Sequence, residues 1–271
     1  MKYYYLLATL PDLSLDIETS NIDFSEIVNT IKRNLSEEDR KTFKYLIYPN
    51  DNRNLLNAIF KAHHGLIPLS YQKPSVFDEA TIEDYVQERF SFPDYITDFL
   101  TTFQERFPEM GMDEIENHLM EGFFQEVAQL QDPFIGDYYS FERTLRSIVS
   151  AFNRSLYNFL DTGSGLEDPE VTDRLANEGS GMAILAQAYP FIASLREAIH
   201  SKDPLVIEQA IDRIKWEFID NYSKEFFSSR HVYGYSFKLF ILQRRAAIDR
   251  ADAEEQFARL NDQIGALKQL T

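Results

Sequence analysis

Cysteine is absent from the 271 residues of this chain. That excludes a disulfide scaffold, a thiolate nucleophile and any cysteine-ligated metal, and it fits a cytoplasmic protein. Long apolar runs are absent as well. No stretch approaches the roughly 18 uninterrupted apolar residues of a bilayer-spanning helix, so no direct membrane span is expected. The opening, MKYYYLLATLPDLSLD, carries Lys2 as its only basic residue and is stopped by Pro11. A secretory signal needs a basic start, a longer apolar core and a small-residue cleavage site, so export is not expected. Basic residues are scarce: 27 Lys and Arg stand against 44 Asp and Glu, for a formal net charge of −17. Phosphate backbones and anionic membrane surfaces both require cations, so nucleic acid is not expected as a partner.

The motifs of nucleotide chemistry are missing too. There is no G-x-G-x-x-G and no G-x-x-x-x-G-K-[ST]. The nearest glycine-rich element, GSG at 163–165, lies between predicted helices without a phosphate-binding lysine and reads as a turn. No G-x-S-x-G elbow exists. The five histidines are scattered: His63, His64, His118, His200 and His231. In ENHLMEG, Glu114, His118 and Glu121 fall at i, i+4 and i+7, which makes a metal-ligand row conceivable. A solvated helix face in an acidic chain gives the same row, and the paired Glu-x-x-His signature of di-iron bundles does not appear. With 44 acids, any catalytic carboxylate pair could be picked at will. No catalytic, cofactor or metal residue is therefore assigned, and no cofactor is expected.

What the chain has in abundance is core material: 44% hydrophobic residues, with 22 Phe and 15 Tyr. They recur at helical spacing. Phe24, Ile27, Ile31 and Leu35 form one stripe, and Ser36 with Asp39 reads as a cap for a second helix carrying Phe43, Leu46 and Ile47. The YPND stretch is expected to end that helix at Pro49. A third helix then places Leu55, Leu56, Ile59 and Phe60 inward, up to Gly65. Residues 65–76 read as a connector. Helical text resumes in DEATIEDYVQERF, in DYITDFLTTFQERF, and in a segment with Ile115, Leu119, Phe123 and Val127 on one face. QDPFIGDYY reads as a joint before a long helix with Phe141, Leu145, Ile148, Phe152, Leu156 and Phe159 inward. DTGSGLEDPE follows as the most turn-like stretch. Asp203 and Pro204 then open a helix striped by Ile207, Ile211, Ile214 and Phe218. The last stretch places Leu239, Leu242, Ala246 and Ile248 inward and ends in mixed charge. The fold class is all-α: stacked amphipathic helices in a single domain, 1–271, with a possible subdivision into 1–135 and 136–271.

Charge is unevenly spread along this pattern. From Asp78 to Asp132 there are 15 acids and only Arg89 and Arg106 as bases, a local charge of −13. Such a segment is either a solvated face or a docking face for a basic partner. Arg143, Arg146 and Arg154 lie on the long helix, either paired with local acids or forming an interface stripe. Arg244, Arg245 and Arg250 pose the same choice near the C-terminus.

The opening KYYYLLATLPDLSL, the LS–D helix start at Leu35, Ser36 and Asp39, YPNDNRNLL, FERTLRSIVSAFNRSLYNF, IDRIKWEFIDNYS and GYSFKLFILQRRAAID together carry a resemblance. The chain resembles the small bacterial proteins found among V-type ATPase subunits and related to the C subunit (eukaryotic d subunit). Tyr3, Tyr5 and Ala8 match the Y-x-Y-x-x-A opening of C subunits, whereas Pro11 and Asp12 stand where basic residues usually follow. The resemblance implies a stack of helices forming a funnel between the central-shaft subunits and the membrane proteolipid ring. It implies a non-catalytic rotor-coupling component, on the cytoplasmic side and peripheral to the inner membrane through the complex. Tyr3, Tyr5, Arg143, Arg146 and Arg154 are the expected interface residues. A helical enzyme with an unrecognised site, for which ENHLME is the nearest candidate, and a helical adaptor unrelated to the ATPase remain the alternatives. By this reading the tyrosine-rich start is a short helix ended by Pro11. Its pattern alone also allows an edge strand.

Overall fold

Helix starts and stops follow local chemistry, and some of them fall elsewhere than the punctuation of the sequence suggests. The computed structural model describes residues 2–67, 70–157, 171, 174, 180–222 and 228–250. Those residues form α1 (Tyr4–Thr9), α2 (Phe24–Asn34), α3 (Glu37–Phe43), α4 (Tyr48–His64), α5 (Glu79–Glu83), α6 (Asp94–Phe103), α7 (Met112–Val127) and α8 (Pro133–Tyr157). After these come α9 (Ser180–Ala188), α10 (Ile192–His200), α11 (Pro204–Tyr222) and α12 (Ser229–Arg250). No strand occurs among the described residues, so the all-α expectation holds. The tyrosine-rich start is α1, closed at Leu10 where the backbone becomes extended ahead of Pro11. The 161–170 turn and the tail beyond residue 250 lie outside the described residues.

Several caps act as their residue types predict. Ser36 Oγ accepts from Asp39 N–H at 3.3 Å and opens α3. Asp203 Oδ1 accepts from Leu205 N–H at 2.9 Å just before Pro204. Gly65 ends α4 at φ 67°, a left-handed position that a side chain would strain. Two prolines act differently from expectation. Pro49 does not end a helix; it lies in the first turn of α4, where its missing N–H has no intrahelical partner to lose. Pro133 likewise opens α8, with Asp132 Oδ1 accepting from Phe134 N–H at 2.9 Å. The expected joint at QDPFIGDYY is therefore the first two turns of a 25-residue helix. The helix expected through DEATIEDYVQERF stops at Glu83. Extending it would add Asp84 with Glu88 as a second like-charge pair four apart after Glu79 with Glu83, which disfavours a longer helix.

The chain groups into two compact units, Met1–Asn34 with Ser223–Thr271, and Leu35–Tyr222. In the first, α12 packs on α2 and on the 3-10 turn Thr19–Asn21. Val232, Tyr233, Phe237, Leu239, Leu242 and Ala246 are buried along α12. Arg245 Nη1 donates to Leu15 O at 2.7 Å, and Tyr235 Oη donates to Pro11 O at 2.9 Å. The subdivision expected at residues 135 and 136 falls inside α8.

The second unit is organised around α8, which packs on α7, α10 and α11. On one side, Leu55, Ile59, Ile96, Leu100, Ile115, Leu119 and Phe123 are each fully buried on α4, α6 and α7. Each such side chain contributes about 1.5–3 kcal/mol of hydrophobic stabilisation. On the other, Leu145, Ile148 and Phe152 of α8 meet Leu185, Ile192, Leu195, Ile199 and Ile214 in one cluster. Lys215 on α11 bridges to Glu142 on α8 at 2.5 Å, with both side chains mostly buried.

A polar network holds the connector against α4. Asp51 is fully buried. Its carboxylate accepts from the Ser75 hydroxyl, from Val76 N–H at 3.1 Å and from Phe77 N–H at 3.2 Å. One turn on, Asn54 accepts from Gln72 N–H at 2.7 Å and donates to Gln72 O at 3.1 Å. Asn50 donates to Pro74 O at 2.9 Å. Buried side chains thus supply the hydrogen bonds that a coil segment cannot make for itself.

Candidate interaction surfaces

Beside α6 and α7 of the second unit lies a groove of about 620 Å³. Tyr95, Ile96, Phe99 and Leu100 are buried on α6, and Ile115, Leu119, Phe123 and Val127 on α7; of these, Tyr95 and Phe99 also line the groove. Gly122 of α7 faces Tyr95 of α6, where a Cβ would meet Tyr95 Cβ in ordinary contact at 3.5 Å. At one end Glu126 accepts from Tyr45 Oη at 2.6 Å and from Tyr95 N–H at 3.0 Å, in the first turn of α6. Burial, and then the bond to Glu126, hold the Tyr45 phenol well above its ordinary pKa. The Tyr95 hydroxyl donates inward to Asn52 Oδ1 at 2.6 Å. Burial raises that phenol as well. At the other end the His118 ring stacks on Phe103 at 4.2 Å between centroids. The lining includes Asp94, Asp98, Glu121 and Glu126 and no lysine or arginine.

The conceivable metal row does not close. His118 Nε2 lies 3.9 Å from Glu114 Oε1, and Arg106 approaches the same carboxylate at 3.9 Å. Glu121 turns instead to Arg143, at 3.8 Å, and accepts from Gln125 Nε2 at 3.1 Å. Among the described residues no group of three His, Asp or Glu side chains is placed to hold a metal ion. His63 Nε2 lies 2.9 Å from Tyr85 Oη. Burial, and then its neighbour His64, lower the pKa of His63. Among the described residues no helix is long and apolar enough to cross a membrane.

The residues expected at an interface divide between the two units. Tyr3 is 4% exposed and anchors the start of α1, whereas Tyr5 is 84% exposed. Tyr4 meets the Tyr5 ring edge-on at 5.5 Å. In the second unit, Arg143 lies against Glu121 and over the Phe124 ring, 5.7 Å from its centroid. Arg146 lies 3.9 Å from Glu142 one turn before it. Both arginines thus meet local acids. Arg154 lies further along α8, and its side chain is outside the described residues. Tyr45, Glu126 and the Asp51–Asn54 group belong to no motif or helical stripe that marks them in the sequence. The visible signal for the last was Asp and Asn at 50, 51, 52 and 54, four polar residues crowded into a helix start beside Leu55 and Leu56.

Among known proteins, a family model described as "Protein of unknown function (DUF2764)" matches residues 1–268. No curated protein and no solved structure matches the chain.

Proposed function

This chain belongs to the DUF2764 family, and we propose that it serves a V-type ATPase as a non-catalytic coupling component between the central-shaft subunits and the membrane proteolipid ring. The observation that carries the reading is the division of labour in α1. The resemblance to C subunits runs through Tyr3, Tyr5 and Ala8. Tyr3 and Leu6 are buried there and fix the helix, while Tyr5 stands 84% exposed. A large exposed aromatic ring on an anchored helix is the kind of group that supplies a binding hot spot. An all-helical body with buried aromatic seams suits a part that transmits torque. On this reading the protein works on the cytoplasmic face, attached to the membrane through its partners alone.

Affinity capture from native membranes, with mass spectrometry of the recovered proteins, tests the assignment. Shaft and ring subunits should be recovered by the wild-type chain and lost with Tyr5→Ala, while far-UV circular dichroism stays unchanged. Deletion of the chain should impair ATP-driven ion pumping and leave hydrolysis by the detached catalytic head intact. Unchanged assembly and pumping after deletion would sink the reading, and recovery of unrelated proteins alone would favour an adaptor role elsewhere.

A further inference from the structure

A hollow of about 600 Å³ lies in the second unit between α8, α11 and the turn that joins α9 to α10. Rings make its wall. Phe141 of α8 stacks on Phe218 of α11 at 4.1 Å between centroids. Phe191, at the end of the turn, meets Phe141 edge-on at 5.9 Å, and Tyr189 lies 5.8 Å from Phe191. Phe141, Tyr189 and Phe191 pack on the core cluster beneath them, yet all four rings are only half-buried and line the hollow. On its lip α11 places Arg213 and Glu217, one turn apart and both exposed. These are opposite charges at i, i+4, but neither side chain pairs with the other or with a third group among the described residues. Their order explains it. A helical ion pair is better with the acid first, as in Glu37–Lys41 and Glu142–Arg146, and here the base comes first. Unpaired charge is common on this surface. What distinguishes these two is that a cation and an anion stand together over a wall of open rings.

We infer that this hollow binds a free aromatic amino acid, with its ring on the Phe141–Phe218 wall, its carboxylate on Arg213 and its ammonium on Glu217. Small-molecule sites are concave, lined mainly by apolar and aromatic side chains, and carry a few polar groups that fix orientation. The volume and the lining fit that description. The chemistry of the lip narrows the class. A guanidinium takes a carboxylate through two parallel hydrogen bonds, and a glutamate takes an ammonium. A ligand with a net negative charge would set that charge against Glu217, and one with a net positive charge would set it against Arg213. A zwitterion opposes neither. The wall selects the body of the ligand, because an added ring can lie offset or edge-on against those present and removes their open surface from water. The inference goes beyond the coupling role and does not depend on it.

Titration of the full chain with L-phenylalanine at physiological salt, followed by nuclear magnetic resonance, provides the test. The Ser194 and Asn221 amides report on the hollow, and the Gly122 amide serves as a remote control. The two reporters should shift with a dissociation constant below about 1 mM, and Gly122 should not. L-Alanine lacks the ring, N-acetyl-L-phenylalanine the ammonium and L-phenylalaninamide the carboxylate. Each should bind about tenfold more weakly or worse. Arg213→Gln should remove the preference for phenylalanine over its amide, and Glu217→Gln the preference over the N-acetyl compound, with far-UV circular dichroism unchanged. Arg196→Gln, at an exposed position of α10 outside the lining, should change binding by no more than about twofold. Absence of shifts at about 10 mM phenylalanine, equal binding of the truncated ligands to the wild-type chain, or survival of both preferences in the two α11 variants would each overturn the inference. Equal loss in Arg213→Gln and Arg196→Gln would overturn it as well, by reducing it to long-range attraction.

Discussion

Replacement of Asp51 measures what the buried network contributes. In Asp51→Ala, Ser75, Val76 and Phe77 lose a common acceptor. A hydrogen bond to a charged group contributes about 1.5–3 kcal/mol. Three such bonds would sum higher than the true loss, since residues 75–77 are only half-buried and water can replace part of what is removed. A loss of about 3 kcal/mol is the working figure, the lower end for breaking a buried charged contact. For a cooperative unit of roughly 150–250 residues, each kcal/mol lowers Tm by about 2–4 °C. Thermal unfolding followed by circular dichroism should therefore fall by roughly 6–12 °C. Asp51→Asn keeps one acceptor but turns an amide donor toward Val76 N–H or Phe77 N–H, and should lose an intermediate amount. Ser75→Ala leaves both backbone donors satisfied and should cost about 1 kcal/mol. Hydrogen exchange at Val76 and Phe77 should accelerate in the same order. A fall below about 2 °C for Asp51→Ala, with exchange unchanged, would refute the claim that this carboxylate pins the connector.

Alkaline pH offers a second test, because burial raises the phenols of Tyr48, Tyr95 and Tyr139, that of Tyr48 from 10.0 to about 12. The unfolded chain releases those protons near pH 10 and the folded chain keeps them, so stability is complete below pH 10 and is lost as pH rises toward 12. Tyrosinate absorbance and helix content should change together in that window; ionisation of all the tyrosines near pH 10 with the helices intact would contradict the burial. Reversal of Arg143, Arg146 and Arg154 to Glu should leave helix content unchanged, costing under about 1 kcal/mol at the partly exposed Arg143–Glu121 pair and more at Arg146, where the new carboxylate would face the mostly buried Glu142. If the α8 face meets a partner, the same variant should weaken assembly of the ATPase and spare hydrolysis by its detached head; normal assembly and pumping would remove that face from the coupling proposal.

The helices legible in the sequence were those whose stripes are buried by other helices. Ile115, Leu119, Phe123 and Val127 repeat at four-residue intervals, and all four are buried. Prolines were less legible, because a missing N–H breaks a helix interior but is harmless in a first turn. Pro49 and Pro133 look like breakers until the residues after them are seen to be buried: Leu55 and Leu56 in one case, Phe134 and Ile135 in the other. The helical period of DEATIEDYVQERF was genuine in its apolar positions, since Ile82 and Tyr85 are both buried. That burial is achieved by a short helix and a turn. A pattern of apolar positions fixes which residues go inward more firmly than it fixes the backbone that carries them.

The acidic segment shows the limit of composition. Its charge of −13 is plain in the sequence, but its acids do different work. Glu126 is a structural acceptor reaching Tyr45, 81 residues away along the chain. Glu121 is drawn to Arg143. Asp94 and Asp98 are left facing solvent at the groove. Only distances between elements far apart in sequence sort these roles, and a count of charges treats all four alike. Tyr3 and Tyr5 make the opposite case. Tyr3 caps α1 and Tyr5 is its second residue. Neighbours on a helix are turned about 100° from one another, so with Leu6 buried beside it Tyr5 is directed away from the side on which Leu6 and the cap residue Tyr3 pack. The exposure of Tyr5 is thus a consequence of helix geometry and the anchoring of Tyr3, and it remains a geometric fact whichever partner that ring meets.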